Sequence, residues 1–182
     1  MRLPAALALV ATVAFGAVAG AVPAGAAQNP AHTAQKPART TTTTTEAGPP
    51  PSCRLLKTAE VTAAMDQPAG PGNAGPVPEV CAWPLFATSD HAAGSLYVFL
   101  ERGAKVKKDF ALASEFNAPD RVPLTGLGRR AFYAPSLATV WVLQNRSTLY
   151  YVQGVYPRDA TPEAGALQDS LVRLAQQAEA RI

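Results

Sequence analysis

The chain carries only two cysteines, Cys53 and Cys81, and their placement limits its possible folds more than any other feature. A bridge between them would close a 28-residue loop and restrict the unfolded chain by about 3 to 4 kcal/mol in the loop-entropy model. That loop holds the run Pro68-Ala69-Gly70-Pro71-Gly72-Asn73-Ala74-Gly75-Pro76, which has little to pack and would otherwise fray. A thiol redox pair or a metal site is the weaker alternative. There is no Cys-x-x-Cys spacing, and the one histidine beyond residue 51 is His91, in a polar loop. A structural disulfide is therefore expected, with no metal and no cofactor implied. Such a bond belongs to an oxidising compartment.

The first residues agree with that compartment. Arg2 precedes an apolar stretch over 5–22, and Ala24-Gly25-Ala26 supplies the small side chains that a signal peptidase pocket admits. Residues 1–26 read as a signal peptide, and no basic stop-transfer flank follows them. Cys53 comes far too late to be a lipidated cysteine, so the expectation is a secreted or cell-wall-associated protein without stable membrane insertion after cleavage.

Residues 27–51 combine Pro30, Pro37, the threonine run 40–45 and Pro49-Pro50-Pro51, with no apolar periodicity. They cannot bury enough nonpolar surface to offset the entropy of ordering, and they read as a disordered Thr/Pro-rich linker. The threonine run is compatible with O-linked sugar and equally with a bare spacer.

Charge supports this division. Of 16 basic and 13 acidic residues, Arg2, Lys36, Arg39 and Glu46 precede residue 52, which leaves 13 and 12 beyond it. A net charge near +1 gives no broad field for nucleic acid. Lys105-Val106-Lys107-Lys108 is the local basic density, read as a solvated face at a helix start.

Residues 52–182 have the size and composition of a single domain. Three helices are predicted: 58–65 capped by Thr58; 105–116 with Val106, Phe110 and Ala113 on one side; and one capped by Thr161 with Pro162 first. The last carries Leu167, Leu171, Leu174 and Ala178 along one face. Strands are predicted over 95–101, 130–133, 139–143 and 148–156, with another beginning at Ala82-Trp83 and a hairpin turn at Asn145-Arg146-Ser147. The expected class is α+β: an antiparallel sheet of about five strands, helices mainly on one face, one disulfide.

Several segments in this order resemble a large actinobacterial family of exported lipoproteins and secreted proteins of unknown function. They are Cys53-Arg54-Leu55-Leu56-Lys57-Thr58-Ala59-Glu60-Val61, Cys81-Ala82-Trp83, Gly126-Leu127-Gly128-Arg129-Arg130-Ala131-Phe132, and a C-terminal amphipathic helix ending in Arg181-Ile182. That family is similar in turn to the extracellular sensor domains of mycobacterial membrane serine/threonine kinases. The resemblance implies an α+β sandwich outside the cell that binds a ligand or partner. The chain departs from the family in lacking a lipidated cysteine, and from the sensor domains in having one possible bridge where they typically hold two.

No catalytic constellation emerges. A Ser/His/Asp arrangement would have to use His91 with its sequence neighbour Asp90, and such neighbours rarely point at a common centre. Glu101 with Asp109, or Asp120 with Glu115, sit where solubilising charges sit. A binding or sensor-like module for an extracellular ligand or protein partner is the preferred reading; a cell-wall or ester hydrolase and a structural wall-associated protein are the alternatives. Strand alternation forbids Tyr150 and Tyr151 from sharing a face. If helices cover one face, the other would present one of these tyrosines with Arg129 or Arg130 at its rim.

Overall fold

The computed structural model describes residues 48–182; the predicted signal peptide and the linker up to residue 47 lie outside them. Residues 48–51, the end of the stretch read as linker, are among those described. Pro50 is buried, its carbonyl accepts the Cys53 N–H at 2.9 Å, and a 3-10 turn spans Pro51–Arg54. Three helices, α1 (Thr58–Met65), α2 (Val106–Phe116) and α3 (Ala164–Glu179), accompany seven strands. The strands are β1 (Asn73–Ala74), β2 (Val80–Leu85), β3 (Gly94–Arg102), β4 (Val122–Leu124), β5 (Arg130–Ala134), β6 (Thr139–Leu143) and β7 (Thr148–Val155). They form one antiparallel sheet in the order β1-β2-β3-β7-β6-β5-β4.

The sheet has two strands more than expected, and both extras are edges. β1 is two residues long and β4 three, with Pro123 at its centre. Neither is long enough to show alternation, and a short or proline-bearing strand is what an unprotected edge tolerates. β7 is inserted between β3 and β6, so it is buried by strands on both sides, and its residues 148–150 are buried without a break.

One face of the sheet carries the main core. Cys81, Trp83, Leu96, Val98, Tyr133, Val140, Val142, Tyr150 and Val152 meet Leu167, Leu171, Leu174, Ala175 and Ala178 of α3, with α1 alongside through Val61 and Met65. The disulfide Cys53–Cys81 ties the 3-10 turn to β2 on this face, with Cα atoms 4.9 Å apart. The register predicted by the leucine spacing of α3 holds, but its start does not. The helix begins at Ala164 with Glu163 at the cap position and no side-chain capping bond, and the Thr161 hydroxyl, short of the helix, donates to the Pro157 carbonyl at 3.3 Å. Likewise Thr58 is the first helical residue of α1, and it is the Glu60 carboxylate that accepts the Lys57 N–H, at 2.7 Å.

Helices lie mainly on this face, as expected, but not only there. Val106 and Phe110 of α2 pack on Phe132, Ala134, Leu143 and Leu149, whose positions alternate with the main-core residues of the same strands. α2 therefore lies on the second face, at the end formed by β5, β6 and β7. Among the described residues no helix is long and apolar enough to cross a membrane.

Candidate functional site

The second face is organised by one cross-strand row. Phe132 pairs with Trp141, Trp141 with Tyr151, and Tyr151 with Phe99, on four adjacent strands. Alternation puts all four rings on the same side of the pleat. The centroids of Trp141 and Tyr151 are 4.7 Å apart, those of Tyr151 and Phe99 4.9 Å with near-parallel planes, and those of Phe132 and Trp141 6.3 Å. Phe110 of α2 closes the row edge-on to Phe132 at 5.4 Å. Beyond α2 the rings of Trp141, Tyr151 and Phe99 are only half-buried, and Tyr97 on the neighbouring row of β3 is half-buried as well. The enclosed indole N–H of Trp141 has no hydrogen-bond partner among the described residues.

Tyr150 belongs to the other face. It is fully buried, and its hydroxyl donates to the Ala175 carbonyl of α3 at 3.1 Å. Burial, with the Glu179 carboxylate nearby, raises its pKa far above that of an ordinary phenol. Tyr150 is thus a polar tie between sheet and helix, and Tyr151 is the tyrosine on the second face. Burial raises the Tyr151 phenol too.

Arg129 and Arg130 are both exposed at the start of β5, and the turn before them decides where they point. Leu127 is buried in the main core between Gly126 and Gly128, both at positive φ. At Gly128 a Cβ would stand 2.8 Å from the Leu143 carbonyl oxygen, so the close approach of this turn to β6 requires glycine. The Arg129 N–H then donates to the same carbonyl at 2.9 Å and β5 begins.

Two adjoining cavities open around these arginines. One, of about 290 Å³, is lined by Phe110, Ser114, Arg121, Arg129, Arg130 and the β4 residues Pro123 and Leu124. The other, of about 370 Å³, is lined by Lys107, Phe110, Arg129, Arg130, Asn145 and Arg146. Neither has an acidic lining residue. The Arg130 guanidinium lies over the Phe110 ring, 5.4 Å from its centroid. Arg121 is held by the Ser114 carbonyl at 3.0 Å and by the Ser114 hydroxyl. Arg146 sits at the tip of the predicted β6–β7 turn, where the Asn145 carboxamide oxygen accepts the Ser147 N–H at 2.8 Å.

The structure thus brings Arg129 and Arg130 together with Lys107, Arg121, Arg146 and Phe110, which the sequence reading did not group. It sets Tyr151 on the same face but outside both cavities, reached from Arg130 through Phe110, Phe132 and Trp141. The Lys105-Val106-Lys107-Lys108 density is partly a lining and not wholly a solvated face. A signal for this was present in the positive Arg129-Arg130 pair after a glycine turn, but Lys107 and Arg146 come from distant segments.

The residues weighed for catalysis fall elsewhere. His91 lines a third cavity, of about 340 Å³, with Asp66, Asp169, Ser170, Tyr156 and Arg173. The Ser170 hydroxyl donates to the Ala166 carbonyl at 3.0 Å and receives an N–H from Arg173, and no hydrogen bond joins His91 to a serine or carboxylate among the described residues. The Tyr156 phenol, pushed up to about 12 by burial, donates to the Gln67 side-chain oxygen at 3.3 Å. Glu101 and Asp109 do meet, and Glu101 is raised by burial first and by the Asp109 carboxyl second. They line none of the three cavities described above. Among the described residues no group of three or more His, Cys, Asp or Glu is placed to hold a metal ion.

Comparison with family models, with curated proteins and with solved structures yields no match.

Proposed function

We propose that the folded part of the chain is a binding module, sensor-like in kind, that works outside the cytoplasm and takes an extracellular ligand or protein partner on the α2 face of its sheet. One observation carries this reading: two adjoining cavities share Arg129, Arg130 and Phe110, and the same face continues as half-buried rings through Trp141 and Tyr151 to Phe99. Rings of this kind offer flat apolar area, and cations at one end orient what lies on them. The disulfide and the export-type leader are compatible with a secreted or wall-associated location, and the family resemblance points the same way.

The test is pull-down of cell-envelope fractions by the purified chain. Replacing Arg129 and Arg130 together by alanine, or Tyr151 by alanine, should cut retention at least tenfold while leaving the thermal melt of the Arg variants in place. Retention that survives both changes removes this reading. The hydrolase alternative draws on the common cavity of His91, Ser170, Asp66 and Asp169. Turnover of peptidoglycan or nitrophenyl esters that disappears in His91→Ala would replace binding with catalysis.

A further inference from the structure

We infer that the paired cavities beside α2 are a phosphate-binding site, taking a ligand that presents two neighbouring phosphate groups; this rests on the binding-module reading and names the chemistry of its ligand. The charge balance argues first. Five cationic side chains, Lys107, Arg121, Arg129, Arg130 and Arg146, line the two cavities, and the one salt bridge among the described residues, Arg181 with Glu60, lies elsewhere. Asp109 and Asp120 line neither cavity, and the Asp120 carboxylate accepts the Ser136 N–H at 3.0 Å. All five are exposed and screened by water in the free protein, and together they set a local positive potential that favours an anion.

Geometry argues second. The Arg130 guanidinium lies over the Phe110 ring, 5.4 Å from its centroid, and makes no salt bridge among the described residues, which leaves N–H donors for an oxyanion. Arg121 is held to Ser114 and so does not have to be ordered by the ligand. A planar carboxylate offers two oxygens and one charge, enough for a single guanidinium fork. A phosphate group offers up to two charges and three acceptor oxygens facing different directions, which suits cations arriving from α2, β5 and the β6–β7 turn. Arg129 and Arg130 belong to both cavities, with Arg121 completing one and Lys107 and Arg146 the other, so two linked phosphates match the layout better than one.

Titration calorimetry of the full chain with pyrophosphate is the direct test, with inorganic phosphate and citrate as comparisons. Pyrophosphate should bind saturably, at least tenfold tighter than either, and weaken at least fivefold between about 50 and 200 mM salt, as several released counterions require. Arg130→Gln, and Lys107→Gln with Arg146→Gln, should each weaken it at least tenfold; Arg173→Gln, at the third cavity, should change it less than twofold. Arg130→Lys keeps the charge and loses the fork, so it should still lose several-fold. A phosphodiester-linked glycan and vesicles of an anionic phospholipid separate polymer-borne from lipid-borne phosphate, and binding of either that vanishes in Arg130→Gln supports the site. Citrate binding as tightly as pyrophosphate, insensitivity to Arg130→Gln, or absence of saturable pyrophosphate binding overturns it. Envelope-fraction binding that persists without pyrophosphate binding removes the phosphate assignment and leaves the module; pyrophosphate binding without any envelope retention removes the module instead.

Discussion

The two faces of the sheet solve opposite problems with the same strands. Under α1 and α3, aliphatic side chains and Trp83 are sealed, the disulfide ties down the incoming segment, and the buried Tyr150 hydroxyl has its acceptor on α3. On the α2 side a single helix covers one end and rings stay half-exposed; among the described residues the Trp141 N–H lacks a partner, and five cations line two cavities that have no acidic lining residue. The first face is arranged for stability. The second leaves rings half-exposed and groups exposed cations, and the proposed binding role rests on that contrast.

If that contrast is real, truncating the two faces should have unequal effects on stability. Leu174→Ala, which empties a fully buried site under α3, should cost about 2 to 5 kcal/mol by urea unfolding, whereas Tyr151→Ala on the open face should cost about 1 kcal/mol. Equal losses would erase the distinction. Next in size, replacing Cys53 and Cys81 together by serine should lower stability by about 3 kcal/mol and expose the 68–76 segment to proteases; an unchanged melting temperature would show that packing alone holds the opening segment.

A smaller effect is a pH dependence on the stable face. Arg181 donates to both the Glu60 carboxylate and the Leu55 carbonyl, the latter at 2.7 Å, so it joins the end of α3 to the start of α1. The hydrogen bond from Arg181 holds the Glu60 carboxyl down to about 2. A depressed carboxyl contributes its stability in full above about pH 4.5 and loses it as pH falls towards 2. The pair is a quarter exposed, so about 1 kcal/mol is expected. Glu60→Gln should flatten that part of the acid-unfolding curve, and a curve identical to the parent's would show the pair to be idle.

Smallest, and opposite in sign, is Glu101 on the α2 face. Burial and Asp109 raise its pKa, so its ionised form is disfavoured in the folded state, and stability falls as pH rises through its folded-state pKa. Glu101→Gln should therefore be neutral or stabilising by a few tenths of a kcal/mol at pH 7. Clear destabilisation would mean that the carboxylate is needed there.

The parts of the fold that could be read from the residues were those whose pattern is local and long. The leucine spacing of α3, the long central strands, the Asn145 turn and the cysteine pair appear where they were expected. Two-residue β1 and proline-bearing β4 were invisible because pairing to a neighbour, not their own side chains, makes them strands. The expected Thr161 cap fails because the chain at 161–163 stays outside the helix, which starts at Ala164, while the Thr161 hydroxyl makes a local bond to the Pro157 carbonyl. For the candidate site, alternation correctly separated Tyr150 from Tyr151, but not which of them faces the open side.

Period and covalent chemistry act over a few residues or through one bond, so the linear order of residues was enough to specify the helices, the principal strands and the Cys53–Cys81 link. The meeting of Lys107, Arg121, Arg129, Arg130 and Arg146 around Phe110 follows from where α2, β4, β5 and the β6–β7 turn come to rest. A domain close to neutral in sum can still gather its positive charges at one place, because electrostatic fields depend on distance in the folded molecule and not on separation along the chain.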